Sequence, residues 1–211
     1  MGIFPNKFLL NICTCGFVLS SAIYGIGLEA QEKRVQEKKE VKEWKKFTSE
    51  ESGFAIDFPR PPEHIEQTID IPKTDLKIIY NTYLSEPSDA VVYVVSVWNY
   101  PAELDMSKPE VNLQDGFHGM LQALPGSQVL SMQMGEDGGF KALNFLVKNE
   151  DIFFQGKLVL VYNTLYQVFT VYKESEKMED NYKRFSTSFK LVQPEKRKVN
   201  NKNGKNPQMN I

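Results

Sequence analysis

Histidine titrates closest to neutral pH, and the chain contains two histidines, His64 and His118. His64 is flanked by Glu63 and Glu66, and this group offers a metal ion one imidazole and two carboxylates. No second histidine or cysteine follows at ligand spacing, which favours an ordinary surface histidine. His118 would need a carboxylate to orient it as a general base, and Asp115 is too near in sequence to face it on a helix. We therefore predict no catalytic residue and no metal site.

Other signatures of enzymes and cofactor sites are missing from the sequence. Gly138-Gly139 is an isolated glycine pair typical of a turn, without the spacing of a phosphate-binding or dinucleotide-binding loop. Glu136-Asp137 lacks the further ligands of a calcium loop. No cofactor is predicted. An enzyme whose site gathers dispersed Asp, Glu, His and Tyr residues stays open as an alternative.

Three residues form a candidate binding patch, namely Trp98, Tyr100 and His118. Trp98 and Tyr100 end a long apolar run, and large aromatic side chains are enriched in ligand pockets and interface hot spots. His118 follows Phe117 at the border of a helical apolar stripe. The competing interpretation places the aromatic residues in the core and leaves the histidine partly buried.

The apolar pattern predicts strands through the first half of the domain. In GFAIDFPRPP, Phe54, Ile56 and Phe58 alternate as on the inner face of a strand, and the prolines that follow end its pairing. Two further strands follow, and then the almost continuously apolar run Ala90 to Tyr100, which predicts a central strand covered on both faces.

Two helices and further strands complete the predicted order. Ser107, Pro109 and Glu110 have the spacing of a capping box, and the apolar stripe that follows predicts a helix ending at Pro125-Gly126. Four strands come next, the last two joined as a hairpin around Asn163-Thr164. Ser175 is predicted to cap a closing helix. This order predicts an α+β domain with a mainly antiparallel sheet and helices packed on it.

Residues 1–30 have the composition of a signal peptide or a membrane anchor. Phe8 to Leu28 contains no charged residue, Lys7 precedes it, and Ala30 fits a cleavage site. The alternative is that Phe8 to Leu28 is retained as an anchor, because about 20 apolar residues can span a bilayer. The chain's two cysteines, Cys13 and Cys15, lie inside this run, where neither a disulfide nor a metal site is expected.

Charge divides the rest of the chain into three regions. Residues 31–46 carry a net charge of +3 and are predicted to form a charged helical spacer, while residues 194–211 carry +4 and are predicted to be a disordered basic tail. Since the whole chain carries −2, the domain at residues 47–193 carries −9. An acidic domain repels phosphate backbones, so nucleic acid is not a predicted partner.

Several segments resemble the PsbP/DcrB-like family. WKKFTSEESGFAIDFPRPP at residues 44–62 is similar to the family's opening strands, and Gly139-x-x-Ala142, the long hairpin and the closing FSTSFKL segment follow in the same order. The resemblance covers residues 44–192. It implies an α-β-α sandwich, shared by PsbP oxygen-evolution proteins, exported bacterial DcrB-like proteins and a Ran-binding nuclear-import factor. The family implies no catalytic residue at any position of this chain.

These observations lead to one functional hypothesis and two alternatives. We expect an exported, non-catalytic interaction or assembly module with an unidentified protein partner, located outside the cytoplasm in the periplasm or as a secreted protein. The alternatives are the enzyme with a dispersed site and a membrane-tethered structural protein. Contact with a membrane is expected only if residues 8–28 are retained.

Overall fold

The computed structural model describes residues 44–176 and 178–192. This part of the chain contains strands β1 (Lys45–Ser49), β2 (Phe54–Phe58), β3 (Glu63–Asp70), β4 (Lys77–Ser88), β5 (Val91–Asn99), helix α1 (Pro109–Gln122), β6 (Gln128–Asp137), β7 (Phe140–Asn149), β8 (Ile152–Val161), β9 (Thr164–Lys173), helix α2 (Glu179–Ser188) and β10 (Lys190–Leu191).

The strands form a large sheet and a small one. The large sheet has seven strands in the order β3-β4-β5-β9-β8-β7-β6, and the small sheet has three in the order β1-β2-β10. Every neighbouring pair in both sheets is antiparallel. The predicted α+β class with a mainly antiparallel sheet is therefore confirmed.

The two faces of the large sheet are covered by different elements. On one face, α1 packs through Leu113 and Phe117, and the ring of Phe117 lies 5.4 Å from that of Phe145 on β7. On the other face lie the small sheet and α2, where the rings of Phe54 and Phe185 each lie 5.0 Å from a tyrosine of the large sheet. The apolar core is thus split into two layers by the large sheet.

Two strand predictions are confirmed in detail. Phe54, Ile56 and Phe58 of β2 are fully buried between the small and large sheets, and β2 ends directly before Pro59. β5 lies between β4 and β9, with Val94 in one core layer and Val95 in the other. The strand is covered on both faces, as its apolar sequence predicts.

The hairpin between β8 and β9 is also confirmed. Val161 pairs with Thr164, so Tyr162 and Asn163 form the two-residue turn. Tyr162 has a φ of 53°, in the left-handed region that tight hairpin turns require. The turn begins one residue before the predicted Asn163-Thr164 pair.

Both helix caps predicted from the sequence are wrong. α1 has Lys108 at its N-cap with no side-chain cap, and the backbone N–H of Ser107 instead donates a hydrogen bond to Asp105 Oδ1 at 2.9 Å. This hydrogen bond holds Ser107 in the preceding turn. α2 begins after Met178, so Ser175 belongs to the turn that leaves β9.

β1 begins two residues before the predicted start of the domain at residue 47. Lys45 and Lys46, which the sequence assigns to the charged spacer, lie in β1, and the ring of Trp44 packs 5.2 Å from that of Tyr93. The remaining spacer, the leader at residues 1–30 and the tail at residues 194–211 lie outside the described residues. Within the described ranges, no helix has the length and apolar character needed to cross a membrane.

Candidate interaction surface

Among the strands that the structure describes, β3 and β6 form the two edges of the large sheet. An edge strand exposes unpaired backbone N–H and C=O groups, which can pair with another chain unless charge, proline or shortness prevents it. β3 carries Glu63, His64, Glu66 and Asp70 within eight residues. Because the prolines at the end of β2 also precede it, β3 is protected against pairing.

β6 carries neither charge nor proline along most of its length. Its first eight residues, Gln128–Gly135, contain no charged side chain and no proline, and we call this segment the β6 edge. Val129, Leu130 and Met132 of the β6 edge are 41%, 44% and 49% exposed. An uncharged edge strand with exposed apolar side chains is a site for binding another strand.

The end of β6 beyond this segment is fixed by two ion pairs. Lys141 Nζ lies 3.3 Å from carboxylate oxygens of both Glu110 and Glu136, and the hydrogen bonds to Glu110 and then Glu136 raise the pKa of Lys141. Asp137 pairs with Lys157, which is nearly buried. The charges of this end are therefore engaged within the domain.

Lys157 also binds the closing helix. Its Nζ donates a hydrogen bond to the backbone carbonyl of Ser186 in α2 at 2.8 Å and lies 5.2 Å from the centre of the Phe189 ring. A cation near the C-terminal carbonyls of a helix is favourable. The ion pair between Asp137 and Lys157 thus links the end of β6 to α2.

Pairing with β7 holds β6 in register. Seven consecutive residues, Ser131 to Asp137, pair without interruption, whereas a bulge shifts the register between Val129 and Ser131. Gly138 and Gly139 make the turn, with φ values of 58° and 83° that favour glycine. On its other side, the regular part of β6 pairs with no strand of residues 44–176 and 178–192.

The residues of the candidate patch lie in different environments. Trp98 is 4% exposed and packs in the core layer that contains Leu113 and Phe117, with its ring 4.2 Å from that of Tyr80. Tyr100 is half-buried against the same layer. The structure therefore places Trp98 in the core and not in an exposed patch.

His118 belongs to the candidate patch, and the competing interpretation of a partly buried histidine does not fit the structure. The side chain is exposed on α1, where its Nε2 lies 2.7 Å from Gln122 Nε2 one turn away. Leu113 and Phe117 are the side chains that α1 buries against the sheet, and His118 points away from them. His118 is available to a partner, whereas Trp98 is not.

A row of polar side chains crosses the core beside Trp98. Thr82 lies opposite Ser96, and Ser96 lies opposite Gln167, so the three side chains share one face of the sheet. All three are buried. Trp98 Nε1 and Thr82 Oγ1 have no hydrogen-bond partner within the described part of the chain, and burial without a partner carries a free-energy cost. The row lies in the core, out of reach of a protein partner.

The other histidine connects the two sheets. The His64 ring stacks on that of Tyr83 at 4.4 Å, and His64 Nε2 donates a hydrogen bond to Asn81 Oδ1 at 2.8 Å. The Tyr83 hydroxyl lies 2.9 Å from the hydroxyls of both Ser49 and Ser52 in the small sheet region. His64 therefore belongs to a network that fixes the small sheet onto the large one.

The described residues form no cluster of side chains suited to bind a metal ion. In residues 44–176 and 178–192, no three side chains of the His, Cys, Asp or Glu type gather closely enough to hold a metal ion. This includes the surroundings of His64, Glu63 and Glu66.

Reasoning from the sequence identified β6 as a strand but missed its exposed edge. The signal was present in the eight uncharged residues of the β6 edge, which contrast with the charged residues of β3. This contrast becomes informative only when both strands are known to be edges of the same sheet.

Comparisons with known proteins concern the fold. No family model matches the chain, and no curated protein matches it in sequence. The structure is similar to that of cyanobacterial PsbP (CyanoP) from Synechocystis sp. PCC 6803, with a TM-score of 0.48 and 8% identity over 80% of this chain and 99% of that one. It is also similar to PA94, a protein of unknown function from Pseudomonas aeruginosa, with a TM-score of 0.38 and 9% identity over 78% and 98% of the two chains.

Proposed function

We propose that the protein is a non-catalytic interaction module that binds a protein partner along the β6 edge. The observation that carries this proposal is the combination of unpaired backbone groups with the exposed side chains of Val129, Leu130 and Met132 on an uncharged strand. In such binding, backbone hydrogen bonds supply affinity and alternate side chains supply specificity. The partner's strand would extend the large sheet by one strand.

Export is a second part of the proposal, and it is supported by the sequence of residues 1–30. The protein would act outside the cytoplasm, either released after Ala30 or held by Phe8 to Leu28 as an anchor. N-terminal sequencing of the protein recovered from cells distinguishes the two forms. A start at Gln31 in a soluble fraction supports release, and intact residues 1–28 in washed membranes support the anchor.

Partner capture with matched variants tests the binding surface. The parent protein, Met132→Lys and Ile65→Lys serve as baits, because Met132 and Ile65 are both exposed apolar residues on edge strands, at 49% and 39%. Lysine on an edge strand opposes strand pairing. We expect Met132→Lys to lose the partner that the parent and Ile65→Lys retain. Equal capture by all three baits, with unchanged thermal melts, would contradict the proposed surface.

A further inference from the structure

We propose that the strand paired with the β6 edge is the β6 edge of a second copy, in antiparallel orientation about a two-fold axis at Met132. This inference rests on the proposed function and identifies the protein bound at the β6 edge as a second copy of the chain. The large sheet would then continue from one copy into the other, with its regular pairing centred on Met132 and ending at the bulge near Leu130.

Charge favours this partner at this position. The domain at residues 47–193 carries −9, so the domains of two copies repel each other on approach. The β6 edge contains no charge, and the adjoining Glu136 and Asp137 are paired with Lys141 and Lys157. Self-association is therefore least opposed along this strand.

The position of the axis follows from which residues it places opposite each other. With the axis at Met132, this side chain faces its own copy, Ser131 faces Gln133, and Glu136 reaches the uncharged start of the strand. With the axis at Met134, Glu136 would instead face Met132, pairing a carboxylate with an apolar side chain. Cross-strand pairs stabilise a sheet through such direct contacts, so the axis at Met132 is favoured.

The other edges explain why the assembly stops at two copies. β3 is charged, β1 contains Lys45 and Lys46, and β10 has only two residues. Charge and shortness both oppose strand pairing. An interface between identical surfaces about a two-fold axis uses up the β6 edge of both copies, giving a closed dimer instead of a filament.

Cysteine cross-linking tests both the pairing and its axis. In the full chain with Cys13→Ser and Cys15→Ser, no cysteine remains, so a single introduced cysteine reports one position. Directly opposite residues have Cβ atoms about 4.5 to 5.5 Å apart, close to the roughly 3.8 Å of a disulfide. We expect Met132→Cys to form a disulfide-linked dimer under mild oxidation faster than Ser131→Cys or Gln133→Cys, and Ile65→Cys on β3 to remain monomeric.

Sedimentation measurements on the cysteine-free protein provide the equilibrium test. We expect the dimer fraction to rise with concentration, and Met132→Lys to weaken dimerisation by about tenfold or more, because two lysines then face each other on the axis. Leu130→Lys is a second variant on the same strand, and Ile65→Lys is the control. Circular dichroism and thermal melts confirm that each variant is folded.

The outcomes separate this inference from the proposed function. A monomer at all concentrations without cross-linking at Met132 would overturn self-pairing, even if capture of another protein still depends on Met132. If deletion of residues 194–211 is what permits dimerisation, the tail occupies the β6 edge in the intact chain and self-pairing is overturned. If capture does not depend on Met132 and no dimer forms, both proposals are overturned.

Discussion

Strands β3 and β6 occupy equivalent positions at the two ends of the large sheet but differ in charge. β3 presents three carboxylates and a histidine, and Asp70 forms an exposed ion pair with Lys77. β6 presents eight uncharged residues, and its two carboxylates are tied into the domain through Lys141 and Lys157. The two edges therefore differ in side-chain chemistry although both end the same sheet, and this difference is the basis of the binding proposed for β6.

The largest expected difference in the free energy of unfolding is between a buried side chain of β2 and an exposed side chain of β6. Phe58→Ala removes a buried ring from β2 and should lower the free energy of unfolding by about 3 to 5 kcal/mol. Met132→Ala removes a half-exposed side chain and should change it by about 0.5 kcal/mol or less. Denaturant unfolding at low protein concentration measures both. An equal loss for the two variants would mean that Met132 is buried within a single copy.

The second largest difference in stability is expected between the ion pairs at the two edges. Asp137→Asn leaves the nearly buried Lys157 without its counter-charge and should cost about 2 kcal/mol or more, since removing one partner of a buried pair is strongly destabilising. Asp70 is 78% exposed, so Asp70→Asn should cost about 0.5 kcal/mol or less. Thermal melts of the two variants beside the parent make the comparison. A larger loss of stability for Asp70→Asn than for Asp137→Asn would contradict a stabilising role for the ion pair between Asp137 and Lys157.

The turns that follow the two edges provide a smaller contrast. Gly139, after β6, has a φ of 83° and nothing within 4 Å of an added Cβ, so Gly139→Ala should cost about 1 kcal/mol through backbone strain alone. Lys73, after β3, already adopts a φ of 65°. Lys73→Gly relieves strain but adds freedom to the unfolded chain, so we expect a net change of about 0.5 kcal/mol or less. The free energies of unfolding of the two variants and the parent test this prediction. If Gly139→Ala is as stable as the parent, the left-handed conformation at Gly139 is contradicted.

The smallest effect concerns Lys141 beside the end of β6. Its pKa is raised by hydrogen bonds to Glu110 and Glu136, so the folded state holds this proton more tightly than the unfolded state. The stabilisation is complete below the unfolded pKa and is lost as the pH rises through the higher, folded pKa. In an NMR titration of the Lys141 side chain, Glu110→Gln should lower the pKa more than Glu136→Gln. The reverse order would show that Glu136 is the stronger partner.

Local sequence patterns were sufficient to predict most of the fold. The alternation in β2, the continuous apolar run in β5 and the hairpin of β8 and β9 depend on neighbouring residues, and each is confirmed. The caps at Ser107 and Ser175 failed because the choice of cap depends on how the preceding turn is bonded. For Ser107, that turn is fixed by Asp105.

The candidate site depended on information that is not local. β9 inserts between β5 and β8, and this strand order is what leaves β3 and β6 at the edges. Nothing in the eight residues of the β6 edge records the order of other strands. For the same reason, the sequence could not decide that Trp98 is covered whereas His118 is exposed, because the position of α1 over the sheet separates them.

The small sheet has a consequence for the order of folding. β10 pairs with β2, and the Asp57 backbone N–H donates to Ser188 Oγ across 131 residues of sequence. Closing such a long loop costs entropy before any contact is gained, so this sheet should form late in folding. β2 must wait for Lys190 and Leu191 to emerge from the ribosome, and until then Phe54, Ile56 and Phe58 lack part of their cover. A nascent chain would therefore stay incompletely folded at β2 until Lys190 and Leu191 are available to pair with it.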